Sequence, residues 1–191
     1  MSSNPSPRVV VLNGGSSSGK SSITRTLQES LPGTWLTFGV DAFIDALPGR
    51  GDSPRAGIVY RPAGTISVSP GYRALEDIWY AALAGMAMSG AHLILDEVLL
   101  AGGTGQEHLG KMFHDLPVVW VGVRCEPEVA AARESQRTDR VPGMARQQAL
   151  SVHGGMRYDV EVDTTHRSAE DCALDITRWI AAWGRSQPDQ V

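Results

Sequence analysis

The chain has 191 residues, a formal net charge of −4, and 42% hydrophobic against 20% charged residues. That balance excludes an electrostatic nucleic-acid binder, whose footprint is basic, and a disordered chain, which lacks the apolar residues to bury a core. No run approaches the roughly 18 apolar residues of a membrane span, and the first apolar run, Val9 to Leu12, is too short for a secretory signal.

The expectation is therefore one cytoplasmic domain over residues 1–191. After a Ser/Pro tail, Val9 to Leu12 form a continuous apolar run ended by Asn13-Gly14-Gly15, the pattern of a strand buried on both faces. Ile23, Leu27 and Leu31 then recur at i, i+4 and i+8 until Pro32-Gly33 stops them, so a helix follows at once. Trp35 to Val40 reads as a second strand, followed by a short helix carrying Phe43, Ile44 and Leu47. The segment 48–71 changes character. It is rich in Gly, Pro, Ser and Arg, and Ile58 to Tyr60 and Thr65 to Val68 flank Pro62-Ala63-Gly64, which predicts a hairpin inserted over the core where acceptor contacts would lie.

Leu75, Ile78, Trp79, Ala82, Leu83 and Met86 trace the apolar stripe of a long amphipathic helix ended by Gly90. His92 to Leu95 is strand-like and runs into Asp96-Glu97; Leu116 to Val123 is the next strand, and Glu126 to Gln136 the next helix, with Pro127 in its first turn. Tyr158 to Val162 alternates as a last strand, and Cys172, Ile176, Trp179, Ile180 and Trp183 repeat at helical spacing. Strands alternating with helices imply α/β architecture, a parallel sheet covered on both faces in three layers, α/β/α.

Gly14-Gly15-Ser16-Ser17-Ser18-Gly19-Lys20-Ser21 fits G-x-x-x-x-G-K-[ST] and sits between a buried strand and a helix start, as the chemistry requires. Backbone amides of such a loop point at phosphate oxygens, Lys20 reaches the β- and γ-phosphates of ATP, and the Ser21 hydroxyl ligates Mg2+. Ser22 extends the candidate nucleotide-binding set at the helix N-terminus. Asp96 closes an apolar strand in the manner of a Walker B acid and is the second candidate Mg2+ ligand, favoured over Glu97. Only Lys20 and Lys111 are lysines, and one of them falls on the motif.

Arg133 and Arg137 share a helix face, and Asp139-Arg140-Val141-Pro142-Gly143 looks like a lid loop, so 133–145 is the expected lid region, with Arg137 and Arg140 stabilising the transferring phosphoryl. An ordinary solvated helix is the rival, since Glu126, Glu128, Glu134 and Asp139 nearly balance the charge. Asp41 follows the second strand at the ligand-binding edge of the sheet, where it is either a general base for an acceptor hydroxyl or a helix N-cap. Cys125 and Cys172 have no metal or redox spacing and read as two buried thiols; the histidines show no ligand spacing, and no G-x-S-x-G elbow is present.

Five blocks carry a family likeness: Asn13 to Ser21, Phe38-Gly39-Val40-Asp41, Trp120 to Cys125, Asp139 to Ala145, and Tyr158 to His166. In these the sequence resembles the chloramphenicol phosphotransferase family from Val9 to about Ile180. The resemblance implies a P-loop kinase fold with a five-stranded parallel sheet that transfers the ATP γ-phosphate to the primary hydroxyl of chloramphenicol, inactivating the antibiotic. It makes Asp41 the base, assigns Arg140 to a lid over the phosphates, and brings Asp163-Thr164-Thr165 near the adenine; Arg133 and Thr164 complete the nucleotide-binding set. Two features depart from the family pattern: Arg50, Arg55 and Arg61 make 49–68 basic for a cover over a neutral antibiotic, and Glu97 stands where a second aspartate is expected. The expected partner is thus a small-molecule alcohol, chloramphenicol first and another antibiotic or metabolite second, with homo-oligomers left open. An ATP-binding regulator without transfer is the rival from another class; no N-K-x-D sequence supports a GTPase switch.

Overall fold

The elements run β1 (Val9–Asn13), α1 (Lys20–Ser30), β2 (Trp35–Gly39), α2 (Val40–Ala46), β3 (Ile58–Tyr60), β4 (Ile66–Val68), α3 (Pro70–Met88) and β5 (His92–Glu97). They continue with α4 (Gly103–Met112), β6 (Val118–Arg124), α5 (Pro127–Glu134), α6 (Met144–Ser151), β7 (Val160–Asp163) and α7 (Ala169–Ser186). The computed structural model describes residues 6–51, 53–61, 65–136 and 143–186.

A strand apolar at every position is stable only where both faces are covered. β1 lies at the centre of a five-stranded sheet ordered β2-β5-β1-β6-β7, paired in parallel with β5 and β6. Val10 and Leu12 point to one face, where α1 and α7 bring Ile23, Leu27, Cys172 and Ile176; Val9 and Val11 point to the other, where α3 and α4 bring Tyr80, Leu83, Leu109 and Phe113. Each fully buried aliphatic side chain contributes about 1.5–3 kcal/mol, so two apolar faces on one strand make it the anchor of the fold. The three-layer α/β/α architecture is the one the sequence predicts.

The antiparallel β3–β4 hairpin pairs Ile58 with Val68 and Tyr60 with Ile66. Its residues cluster with Phe43, Leu47 and Tyr72, the rings of Phe43 and Tyr72 meeting edge to face at 5.2 Å. Both expected buried thiols are free and buried. Among the described residues no helix is long and apolar enough to cross a membrane.

Three expectations change. Leu75 and Ile78 are 48% and 66% exposed; the inner face of α3 is instead Tyr72, Tyr80, Leu83, Ala84 and Ala87. Tyrosines occupy it because a phenol can bury its ring while its hydroxyl finds a partner, as Tyr80 does on Glu97. The last strand begins at Val160, not Tyr158, because the Tyr158 ring lies against Gly122 and its hydroxyl meets Asn13 and His153. Helices α4 and α6 occupy stretches in which the periodicity predicts none.

Gly39 has an extended backbone, φ 177°, that any residue adopts, yet a Cβ there would run into the backbone carbonyl of Asp96 on the paired strand β5. Gly39→Ala should therefore overpack the β2–β5 seam and lower Tm by roughly 5 °C. Gly85→Ala, on α3 with nothing within 4 Å of the added carbon, should leave Tm level or raise it. Differential scanning calorimetry of the two variants checks the contrast.

Candidate active site

Residues 14–19 turn from the buried end of β1 into α1, and the turn needs left-handed backbone at Gly19, φ 90°, and at Ser17, φ 58°. A serine in that region costs on the order of 1–2 kcal/mol, strain of the kind found where a loop must aim its amides. Thr164 braces the turn from below: its hydroxyl donates to the Ser18 carbonyl at 2.7 Å, and its methyl lies 3.6 Å from where a Gly19 side chain would begin. The hydroxyls of Ser16, Ser17 and Ser18 are buried without a hydrogen-bond partner among the described residues. Unsatisfied donors collected on a strained loop fit an anion with several acceptor oxygens.

Lys20 is 6% exposed; its Nζ donates to the Gly15 carbonyl at 3.0 Å and lies 3.6 Å from Asp96. The Ser21 hydroxyl donates to Asp96 Oδ2 at 2.7 Å. A hydroxyl and a carboxylate are hard oxygen donors, and Mg2+ takes only one or two from protein when phosphates and water supply the rest. The pair fits that ion. Among the described residues no cluster of three or more His, Cys, Asp or Glu offers a fuller protein-made cage.

Neighbouring side chains of a strand point to opposite faces, so Asp96 and Glu97 part company. Glu97 turns beneath α3, where its Oε2 accepts from the Tyr80 hydroxyl at 2.9 Å and its Oε1 has no hydrogen-bond partner among the described residues. Burial pushes the Glu97 carboxyl up to about 8, with the neighbouring Asp96 and Glu76 adding to the rise and the Tyr80 hydrogen bond opposing it. Asn13 ties the surrounding loops: Oδ1 accepts from the Leu99 amide, and Nδ2 donates to the Val152 carbonyl and the Tyr158 hydroxyl.

A cavity of about 550 Å³ opens at the carboxyl ends of the strands, lined by Ser16 to Ser22, Asp41, Asp96 and Glu97. Its far wall is largely apolar, with Phe38, Ile44, Ile58, Ile66, Val68 and Tyr72 from β2, α2, the β3–β4 hairpin and α3. Asp41 lies in the first turn of α2, whose N-cap residue is Gly39, so the N-cap alternative for Asp41 falls. Arg50 pairs with Asp45 and Arg61 donates to Ser67; neither these two nor Arg55 lines the cavity. Arg133 is pinned rather than free, donating to the Thr164 carbonyl at 2.6 Å, to its hydroxyl at 3.2 Å and to Cys125 Sγ at 3.4 Å. Arg137 and Arg140 lie outside the described residues, as do 138, 139, 141 and 142 of the expected lid.

Met144, from the expected lid region, lines the cavity, and Gln148 beside it escapes the sequence reading because α6 does. In α6 the apolar Leu150 is 73% exposed while the polar Gln148 is 4% exposed, the reverse of the pattern that marks a helix in sequence.

The sheet order, the glycine loop leading into α1 and the acid closing β5 define a P-loop kinase fold. The chain belongs to the chloramphenicol phosphotransferase-like protein family, whose model matches residues 7–181. It is 30% identical over 190 aligned residues to the Mycobacterium tuberculosis protein named "Putative O-phosphotransferase Rv2636", covering 92% of this chain and 83% of the relative. Among solved structures it is similar to a gluconokinase from Sinorhizobium meliloti, with TM-score 0.62, 20% identity and 94% of each chain covered. It is also similar to shikimate kinase from Acinetobacter baumannii, with TM-score 0.56, 15% identity and 94% and 95% covered. A tunicamycin resistance protein from Deinococcus radiodurans gives TM-score 0.62 at 18% identity, with 91% and 95% covered. At these identities the structural likeness concerns the fold. The family marks the chain as a small-molecule phosphotransferase.

The raised Glu97 carboxyl has a consequence for stability. The unfolded chain ionises first, from about pH 4.5, and the folded protein follows only near 8, so the contribution of this group declines as pH rises across that window. Glu97→Gln, which keeps the acceptor for Tyr80 and cannot ionise, should gain in Tm relative to the parent as pH goes from 5 to 8.5, in chelator-containing buffer without nucleotide. A Tm difference flat with pH would show that Glu97 is not held neutral.

Proposed function

We propose that the protein is a Mg2+-dependent ATP:alcohol O-phosphotransferase with chloramphenicol as acceptor. The observation that carries this is the single cavity on which the Walker loop, the Ser21–Asp96 pair and Asp41 converge beside a largely apolar wall. Lys20 and the amides of 19–21, at the helix end of the loop, bind the phosphates; Ser21 and Asp96 would hold Mg2+, which when bound neutralises charge on the β- and γ-phosphates. Asp41 accepts the proton of the acceptor hydroxyl as that oxygen forms its bond to the γ-phosphorus and the bond to the bridging oxygen breaks, releasing ADP. Arg133 and Thr164, beside Gly19, fit the adenosine end.

The apolar wall favours a largely uncharged acceptor. Arg73, in the lining next to Tyr72, is paired with Glu76 at 2.6 Å, which offsets its charge toward a carboxylate acceptor. The basic residues of 49–68 carry no weight against a neutral antibiotic, because Arg50, Arg55 and Arg61 do not line the cavity.

Incubation with Mg·ATP and chloramphenicol should release stoichiometric ADP and add the mass of one phosphate to the antibiotic. ADP release driven by some other alcohol, with chloramphenicol untouched, would keep the kinase and replace the acceptor. Nucleotide binding with no transfer to any member of an alcohol panel would favour the regulator. Asp41→Asn should lower kcat by roughly 10²- to 10⁴-fold with KM for ATP little changed; a kcat close to the parent's removes Asp41 as base.

A further inference from the structure

The peptide joining Gly15 to Ser16 is gripped at both edges. Its carbonyl accepts from Lys20 Nζ at 3.0 Å, and its N–H donates to Gln148 Oε1 at 2.7 Å. Gln148 is carried in by α6 and lines the cavity with Ser16 and Lys20. Chemistry fixes which end of its amide is which, since only the oxygen receives an N–H. The Nε2 end donates to none of the described residues, yet it is not among the buried atoms sealed off without a partner, so it keeps open surface.

Two further contacts hold Gln148 in this place. A Cβ on Gly15 would lie 2.9 Å from the Ala149 amide nitrogen and 3.2 Å from Gln148 Cβ, so α6 approaches the loop this closely only because residue 15 is glycine. Glu134, 6% exposed, accepts from the Gly143 and Ala145 amides at 2.7 Å each and anchors the start of α6.

In a Walker loop the amides nearest the helix cradle the α- and β-phosphates, and the lysine reaches on to the γ. The Gly15–Ser16 peptide is at the other end of the loop, on the γ side, with the lysine on its oxygen. We propose that Gln148 is a γ-phosphoryl contact, its Oε1 fixing the Ser16 amide while its Nε2 donates to a γ-phosphoryl oxygen. A carboxamide suits both tasks because it carries one acceptor and one donor on the same carbon. The proposal rests on the Walker loop binding ATP and not on which alcohol is the acceptor.

Gln148→Glu separates the two ends: it keeps an acceptor for Ser16, removes the donor, and sets a negative charge beside the γ-phosphate. Calorimetric titration of the full chain with Mg·AMPPNP and Mg·ADP should give AMPPNP binding weakened roughly tenfold or more, with ADP binding within about twofold of the parent. A residue that merely props the loop would shift both ligands alike, and equal shifts, or none, overturn the proposal. If the glutamate variant unfolds, Gln148→Met is read by the same AMPPNP-to-ADP affinity ratio, which should fall. A parent protein that binds neither nucleotide overturns the nucleotide-binding assignment together with the role of Gln148; a parent that binds both, with the ratio unmoved in the variants, overturns the role of Gln148 alone.

Discussion

A buried ammonium sets the terms for this site. Lys20 is 6% exposed, and a cation removed from water without acceptors costs several kcal/mol. Its acceptors are the Gly15 carbonyl, just past the end of β1, and Asp96, near the end of β5. The first comes from the same loop, and the second is available because β1 and β5 run side by side in the register that pairs Leu12 with Asp96. A slip of one residue would turn Asp96 away and offer Glu97 instead, so the pairing that buries the valines of β1 also selects the acid that meets the lysine.

The two acids that follow one another on β5 are thereby given opposite characters. Asp96, with 23% of its side chain exposed, takes a hydrogen bond from Ser21 at the cavity mouth. Glu97 is sealed beneath Tyr80, and its burial favours the neutral acid. For a site that must admit a nucleotide polyphosphate, the distinction matters: one carboxylate is enough to hold a divalent ion, while a second would repel the phosphates at close range. The larger acid at position 97 reaches the phenol of α3, and the hydrogen bond there gives it a structural tie.

The parts legible in the sequence are those in which chemistry and period coincide. The apolar run of β1, the stop at Pro32-Gly33, the hairpin residues and the Walker loop each state a backbone requirement that one local stretch can satisfy. The parts that are not legible depend on who packs against whom. α4 has glycine at 103, 105 and 110 and buries only Leu109 fully, so it shows no stripe. On α3, Leu75 and Ile78 fit a helical period as well as Tyr72 and Tyr80 do, and the partners decide which pair turns inward, Phe43 for Tyr72 and the buried acid on β5 for Tyr80. α6 breaks the usual pattern, since beside Met144 and Ala145 it turns Gln148 inward for a hydrogen bond while Leu150 faces out.

The glycines of the loop divide along the same line. Gly19 is required for its own backbone, since its left-handed φ starts α1 where Thr164 can brace the turn. Gly15 is required for what lies against it: with a side chain there, α6 would have to withdraw, and Gln148 would lose the Ser16 amide. A motif match records both positions in the same letter, although one serves the turn and the other admits a helix more than 100 residues further along the chain. The phosphate cradle is therefore not a local object. Its helix end is made by residues 19–22, and its opposite end is completed by α6, held in place by Glu134. The γ-phosphate side of the loop is thus shaped by a part of the chain that the motif does not contain.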